Sequence, residues 1–135
     1  MPVLWGRPPT EQSRVQISVV DDDEWVADSL KLLLETFGYD VQCYNSGADL
    51  IADDRRRRAA GCLIIDQHMP GMNGLDLVDR LQKEGVRAPA ILISGRLDTI
   101  TKERAARLGI TSVLEKPFAA DRLVDLIRTV MSERH

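Results

Sequence analysis

From about residue 15 onward the chain alternates short apolar runs with amphipathic stretches, and the apolar runs stop abruptly at polar groups. Val15-Gln16-Ile17-Ser18-Val19-Val20 meets Asp21-Asp22-Asp23-Glu24, and Cys62-Leu63-Ile64-Ile65 ends in Asp66. Ala90-Ile91-Leu92-Ile93 ends in Ser94, and Ser112-Val113-Leu114-Glu115 runs into Lys116-Pro117-Phe118. Runs this short and this apolar have the pattern of parallel strands buried on both faces. A further strand is expected over Tyr39 to Tyr44. Between the strands, a helix at about 23–37 carries Trp25, Val26, Leu30, Leu33, Leu34 and Phe37 at helical spacing and stops at Gly38. Ser46 can cap a helix running to about Arg56. Gly74 to Glu84 turns Leu75, Leu77, Val78 and Leu81 inward and closes at Gly85. A polar helix from about Asp98 to Leu108 ends at Gly109, and Ala119 to Met131 forms the last helix. Five strands alternating with five helices predict an α/β fold with right-handed crossovers and a parallel sheet. Residues 1–14, with Pro2, Pro8 and Pro9 and no periodicity, predict a flexible leader before a single domain over 15–135.

In an open α/β sheet, ligands sit in the crevice beyond the carboxyl ends of the strands. Carboxylates, a hydroxyl and an ammonium, each just past a strand, would meet there. Asp21, Asp22 and Asp66 brought together repel one another and are hard to ionise without a cation. Mg²⁺ takes hard oxygen ligands, usually one or two carboxylates with waters and phosphate oxygens. The cluster therefore reads as a Mg²⁺ site, with Asp66 as a phosphoryl acceptor. Lys116, held by Pro117 and Phe118, and the hydroxyl of Ser94 would stabilise phosphoryl oxygens. A plainer reading of the acidic run is that one or two of Asp21, Asp22, Asp23 and Glu24 only start the helix. For Asp66 no packing purpose explains a charge at the end of an apolar strand.

Composition narrows the setting. The 135 residues, 44% hydrophobic and 29% charged, suit one globular domain with a real core. A net charge of -3 disfavours a nucleic-acid surface, which needs a basic excess. Arg55-Arg56-Arg57-Arg58 is read instead as a solvated helix end offset by Asp53 and Asp54 and favoured by the C-terminal dipole. Cys43 and Cys62 have no metal-ligand spacing and suggest a reducing compartment. No apolar run nears the roughly 20 residues that span a bilayer, and no signal peptide is visible, so a cytoplasmic location is expected.

The stretches VVDDDE, LIIDQHMPGMNG, ILISG and EKPF resemble the hallmarks of the receiver domain of two-component response regulators, over about residues 15 to 131. The resemblance implies a flavodoxin-like (βα)5 fold with strand order 2-1-3-4-5, an order that general fold knowledge already assigns to a member of this family. It implies that Asp66 accepts a phosphoryl group from a phosphohistidine of a sensor histidine kinase or phosphotransfer protein. By the same resemblance Asp22 is the direct Mg²⁺ ligand, Asp21 acts through water, and the backbone carbonyl of His68 is the third protein ligand. Ser94 matches the switch hydroxyl and Lys116 the lysine that pairs with the phosphoryl group. The Lys116–Pro117 bond matches one that is usually cis.

The chain departs from the family at Val113, where an aromatic residue is usual, so a swinging ring cannot be the signal. His68 and Arg96 occupy positions that tune water access to the acyl phosphate, and both are expected to modulate its lifetime. Three function classes follow: a stand-alone receiver acting on a downstream protein target, the receiver half of a truncated DNA-binding regulator, and an aspartyl-nucleophile phosphatase. No helix-turn-helix signal follows the domain, so direct contact with nucleic acid by this chain is not expected. A phosphatase usually needs a second Asp where His68 stands. No membrane partner is expected, and a phosphorylation-dependent homodimer stays open.

Overall fold

The computed structural model describes residues 15–132, so the leader expected over 1–14 lies outside the described residues. Five strands form one sheet: β1 Gln16–Val20, β2 Asp40–Tyr44, β3 Cys62–Asp66, β4 Ala90–Ser94 and β5 Ser112–Glu115. All pairings are parallel, in the order β2-β1-β3-β4-β5, as expected of a flavodoxin-like (βα)5 fold. The helices are α1 Glu24–Thr36, α2 Gly47–Ala52, α3 Asp54–Ala59, α4 Gly74–Lys83, α5 Thr99–Arg107 and α6 Ala120–Ser132. Successive residues on a strand face opposite sides, so the sheet feeds two cores. Ile17, Val19, Ile64, Ile91, Ile93 and Leu114 pack with α1 and α6. Val20, Leu63, Ile65 and Leu92 pack on the other side with Leu50, Leu75, Leu77, Leu81 and Ala105 from α2, α4 and α5. Burial on both faces is what made these strands legible as unbroken apolar runs. All five residues of β3, Asp66 included, are buried.

Helix ends follow local chemistry. Gly38, Gly85 and Gly109, the expected stops, have φ of 90°, 87° and 80°, a left-handed turn that glycine takes without steric cost. Asn73 and Asp76 close a reciprocal capping box at the start of α4. The helix expected from Ser46 to Arg56 is instead two short helices. Asp53, at φ -95° and ψ 77°, leaves α2 and caps α3, accepting from the Arg56 N–H, while its other carboxylate oxygen accepts from the Tyr44 hydroxyl at 2.8 Å. A tertiary hydrogen bond to β2 thus breaks the helix where local propensity would have continued it.

Two further expectations change. In α1 only Ala27, Leu30 and Leu34 are buried, whereas Trp25 is 81% and Phe37 48% exposed, the Phe37 ring lying 5.7 Å from the Arg128 guanidinium. Periodicity found the helix but not which apolar residues face the sheet. The arginine tetrad is only partly solvated. Arg56 bridges to Asp40 at 3.2 Å, and Arg57 reaches the Ile51 carbonyl at 2.8 Å and Glu84 of α4 at 3.0 Å. Arg55 and Arg58 are exposed, as expected.

Candidate functional site

Strand ends deliver the polar groups, and ladder hydrogen bonds pin their backbones. The Asp21 N–H donates to the Tyr44 carbonyl at 3.0 Å, the Gln67 N–H to the Ile93 carbonyl at 2.8 Å, and the Lys116 N–H to the Ser94 carbonyl at 2.8 Å. Pleat parity sorts the side chains. Asp21, Asp66 and Lys116 continue the rows of Val19, Ile64 and Leu114, on the face toward α1 and α6. Ser94 continues the row of Leu92, on the face toward α4 and α5.

Asp21, Asp22 and Asp66 each place one carboxylate oxygen within 4.8 Å of the others. Asp21 is buried, and its Oδ1 accepts from the Asp23 N–H at 2.9 Å. Burial raises its pKa above the ordinary carboxylate value; the Asp23 N–H opposes this, and the charge of Asp66 adds to it. Lys116 Nζ lies 3.6 Å from Asp21 Oδ2 and 3.4 Å from Asp66 Oδ1. The second contact is charge attraction without a hydrogen bond, so the buried Asp66 Oδ1 has no donor among the described residues. Asp22 stands exposed at the mouth. Asp23 lies outside the cluster: it caps α1, accepting from the N–H groups of Trp25 and Val26, so part of the acidic run does only start the helix. Three hard oxygen donors converging beside a buried, undonated carboxylate oxygen fit a small divalent cation.

The remaining candidates separate from this centre. Ser94 is fully buried, and its Oγ is bonded to both backbone polar groups of Arg96 and lies 2.9 Å from His68 Nε2. The His68 and Arg96 side chains are exposed. Val113 is half-buried against the core on the α4 and α5 side, and the Lys116–Pro117 bond is cis.

Two residues with a part in the site escaped the sequence reading. Gln67 is buried, and its Oε1 accepts from the Leu75 N–H at 2.9 Å, tying the loop after Asp66 to α4. At Gly74 a Cβ would lie 2.7 Å from the Asp66 carbonyl oxygen and 3.0 Å from Gln67 Cα, so the helix can approach the acceptor loop only through glycine. Nothing local in the sequence signals this close approach.

Residues 17–128 match the response regulator receiver domain family. The response regulator protein TodT of Pseudomonas putida F1 is 36% identical over 115 residues, covering 85% of this chain and 50% of TodT. The transcriptional regulatory protein FixJ of Bradyrhizobium diazoefficiens is 32% identical over 117 residues, 87% of this chain and 57% of FixJ. The chain thus spans about half the length of these curated relatives. Among solved structures, the receiver domain of the Francisella response regulator 1452 superposes with a TM-score of 0.80 at 25% identity, covering 90% of this chain and all of that one. The sheet order, the converging strand-end groups and these matches together place the chain in the response regulator receiver domain family of two-component signalling.

Proposed function

We propose that this receiver takes a phosphoryl group onto Asp66 from a phosphohistidine of a sensor kinase or phosphotransfer protein, and that the modified domain acts on a downstream protein. The observation that carries the reading is Asp66 Oδ1: buried, without a hydrogen-bond donor, and 3.4 Å from an ammonium. A carboxylate oxygen left open in this way is available as a nucleophile. It would form a bond to phosphorus as the phosphorus–nitrogen bond breaks, with the electron pair leaving on the donor imidazole. Lys116 supplies positive charge to the oxygens of the transferred group. Asp22, Asp66 and the His68 backbone carbonyl would hold Mg²⁺ directly, with Asp21 acting through water. The ion, when bound, would neutralise charge that accumulates on the phosphoryl oxygens. Ser94 would be the switch hydroxyl, with His68, Arg96 and Val113 shaping how long the modified state lasts and where its signal goes. A location in the cytoplasm, where a kinase and its phosphodonor meet the receiver, belongs to the same reading.

Intact mass after treatment with acetyl phosphate tests it. One added phosphoryl group is expected, dependent on Mg²⁺ and absent from Asp66→Asn; equal labelling of that variant would refute Asp66 as acceptor. The coverage of TodT and FixJ supports a second reading, that the domain serves as the receiver portion of a longer regulator. A longer gene product carrying a second domain would establish it. The phosphatase alternative needs turnover of phosphate monoesters, and the residue at its general-acid position, His68, is engaged with Ser94.

A further inference from the structure

The Ser94 hydroxyl has no hydrogen-bonding capacity to spare. Its Oγ lies 2.6 Å from the Arg96 carbonyl oxygen, 3.1 Å from the Arg96 N–H and 2.9 Å from His68 Nε2. A hydroxyl offers one hydrogen and two acceptor lone pairs. A carbonyl only accepts, so the 2.6 Å contact uses the hydroxyl hydrogen. The Arg96 N–H and His68 Nε2 must then both donate to the oxygen, which puts the imidazole hydrogen on Nε2. The saturated hydroxyl is fully buried and, by pleat parity, on the face of the sheet opposite Asp66.

We infer that His68 is a positioning residue, a latch that holds Ser94 in its unmodified arrangement and competes with a phosphoryl group on Asp66 for the Ser94 hydroxyl. The inference rests on the phosphoacceptor reading above and names a control on that same site. A phosphoryl oxygen only accepts hydrogen bonds. To reach it, Ser94 must withdraw its hydrogen from the Arg96 carbonyl and swing its oxygen away from both the Arg96 N–H and the imidazole. Release therefore frees the backbone at Arg96 and the His68 ring together. Gly95, where an added Cβ would meet nothing within 4 Å, leaves room for that movement. The loop so freed leads to Asp98, which caps α5 by accepting from the Thr101 N–H at 2.8 Å. Hydrogen bonding to Thr101 holds the Asp98 carboxyl below its ordinary range. His68 is also two residues from Asp66, so one loop carries both the acceptor and the latch.

The test uses beryllofluoride with Mg²⁺ as the phosphoryl mimic, amide shifts of residues 94–98, and the half-saturating beryllofluoride concentration. His68 is exposed, so replacing it opens no cavity. In unmodified His68→Leu the amides of 95–98 should move toward their beryllofluoride-bound positions, and half-saturation should fall about fivefold, the worth of one hydrogen bond. His68→Gln, which keeps an N–H donor, should recover most of the wild-type behaviour. In a Ser94→Ala background His68→Leu should add nothing. Overlying spectra and equal affinities for wild type and His68→Leu would overturn the latch while leaving Asp66 as acceptor. An equal fall in half-saturation in the Ser94→Ala background would also overturn it, making the ring a steric shield. No response of the wild type to beryllofluoride would instead remove the acceptor reading, and the latch with it.

Discussion

Ionising Asp21 costs the folded chain more than the unfolded one, because burial withdraws its carboxylate from water next to Asp66. Its folded pKa is raised above 3.8, so its stabilising contribution is complete below that value and is lost as pH rises through the folded value. In metal-free buffer at neutral pH, Asp21→Asn should therefore unfold at a higher temperature, by a few degrees for a gain of about 1 kcal/mol. Near pH 3.5 the gain should vanish; a gain of the same size at both pH values would point to packing instead. Asp22 is exposed at the edge of the same cluster. Asp22→Asn should leave metal-free melting unchanged and weaken Mg²⁺ binding about tenfold by titration, whereas lost metal-free stability with unchanged affinity would make it a helix residue only.

Elements meet at the site through contacts that allow little substitution. Helix α4 lies so close to the acceptor loop that a single methyl group at residue 74 would strike the Asp66 carbonyl oxygen. Gly74→Ala should cost about 1–3 kcal/mol in urea unfolding and weaken Mg²⁺ binding, because the backbone, and not a flexible side chain, must give way. Wild-type stability there would mean that α4 slides freely. A second tie joins α4 to α5, where Arg104 donates to Asp76 at 2.8 Å. That hydrogen bond, first among its causes, lowers the Asp76 pKa, so its contribution is present above the unfolded value of 3.8 and lost as pH falls through the folded one. The pair is partly exposed, and Arg104→Leu should cost no more than about 1 kcal/mol at neutral pH. The difference from wild type should shrink as pH falls below 3.8, measured by urea midpoint; a cost constant with pH would assign it to the apolar stem of the arginine.

Across the whole molecule the question is where a change at Ser94 goes. Val113 is short, stiff at χ1 and half-buried against the core on the α4 and α5 side, so no ring at this position can move into space that Ser94 vacates. The loop after Ser94 leads directly into α5, whereas α6 follows Lys116 and the segment after it. Beryllofluoride should shift the amides of residues 95–108 more than those of 112–131. Larger shifts on β5 and α6, with 95–108 quiet, would show that the signal leaves by the other route.

What the amino-acid sequence determined by itself was everything governed by short-range rules. Apolar runs, glycine stops and residues just past strand ends depend on neighbours within a turn or a pleat, and they yielded the strands, the helix ends marked by Gly38, Gly85 and Gly109, and the membership of the acidic site. Pairing order and the site roles came from resemblance to a family, since no local rule contains them. Tertiary structure alone decided matters that depend on residues far apart in the chain. Tyr44 splits a helix at Asp53, Arg56 and Arg57 become cross-links, and Trp25 turns outward while Ala27 is buried. Gly74 is fitted to the Asp66 carbonyl. The hydrogen bond between His68 and Ser94, 26 residues apart, exists only because β3 and β4 are adjacent and end at the same level, a register that no segment of the chain encodes alone.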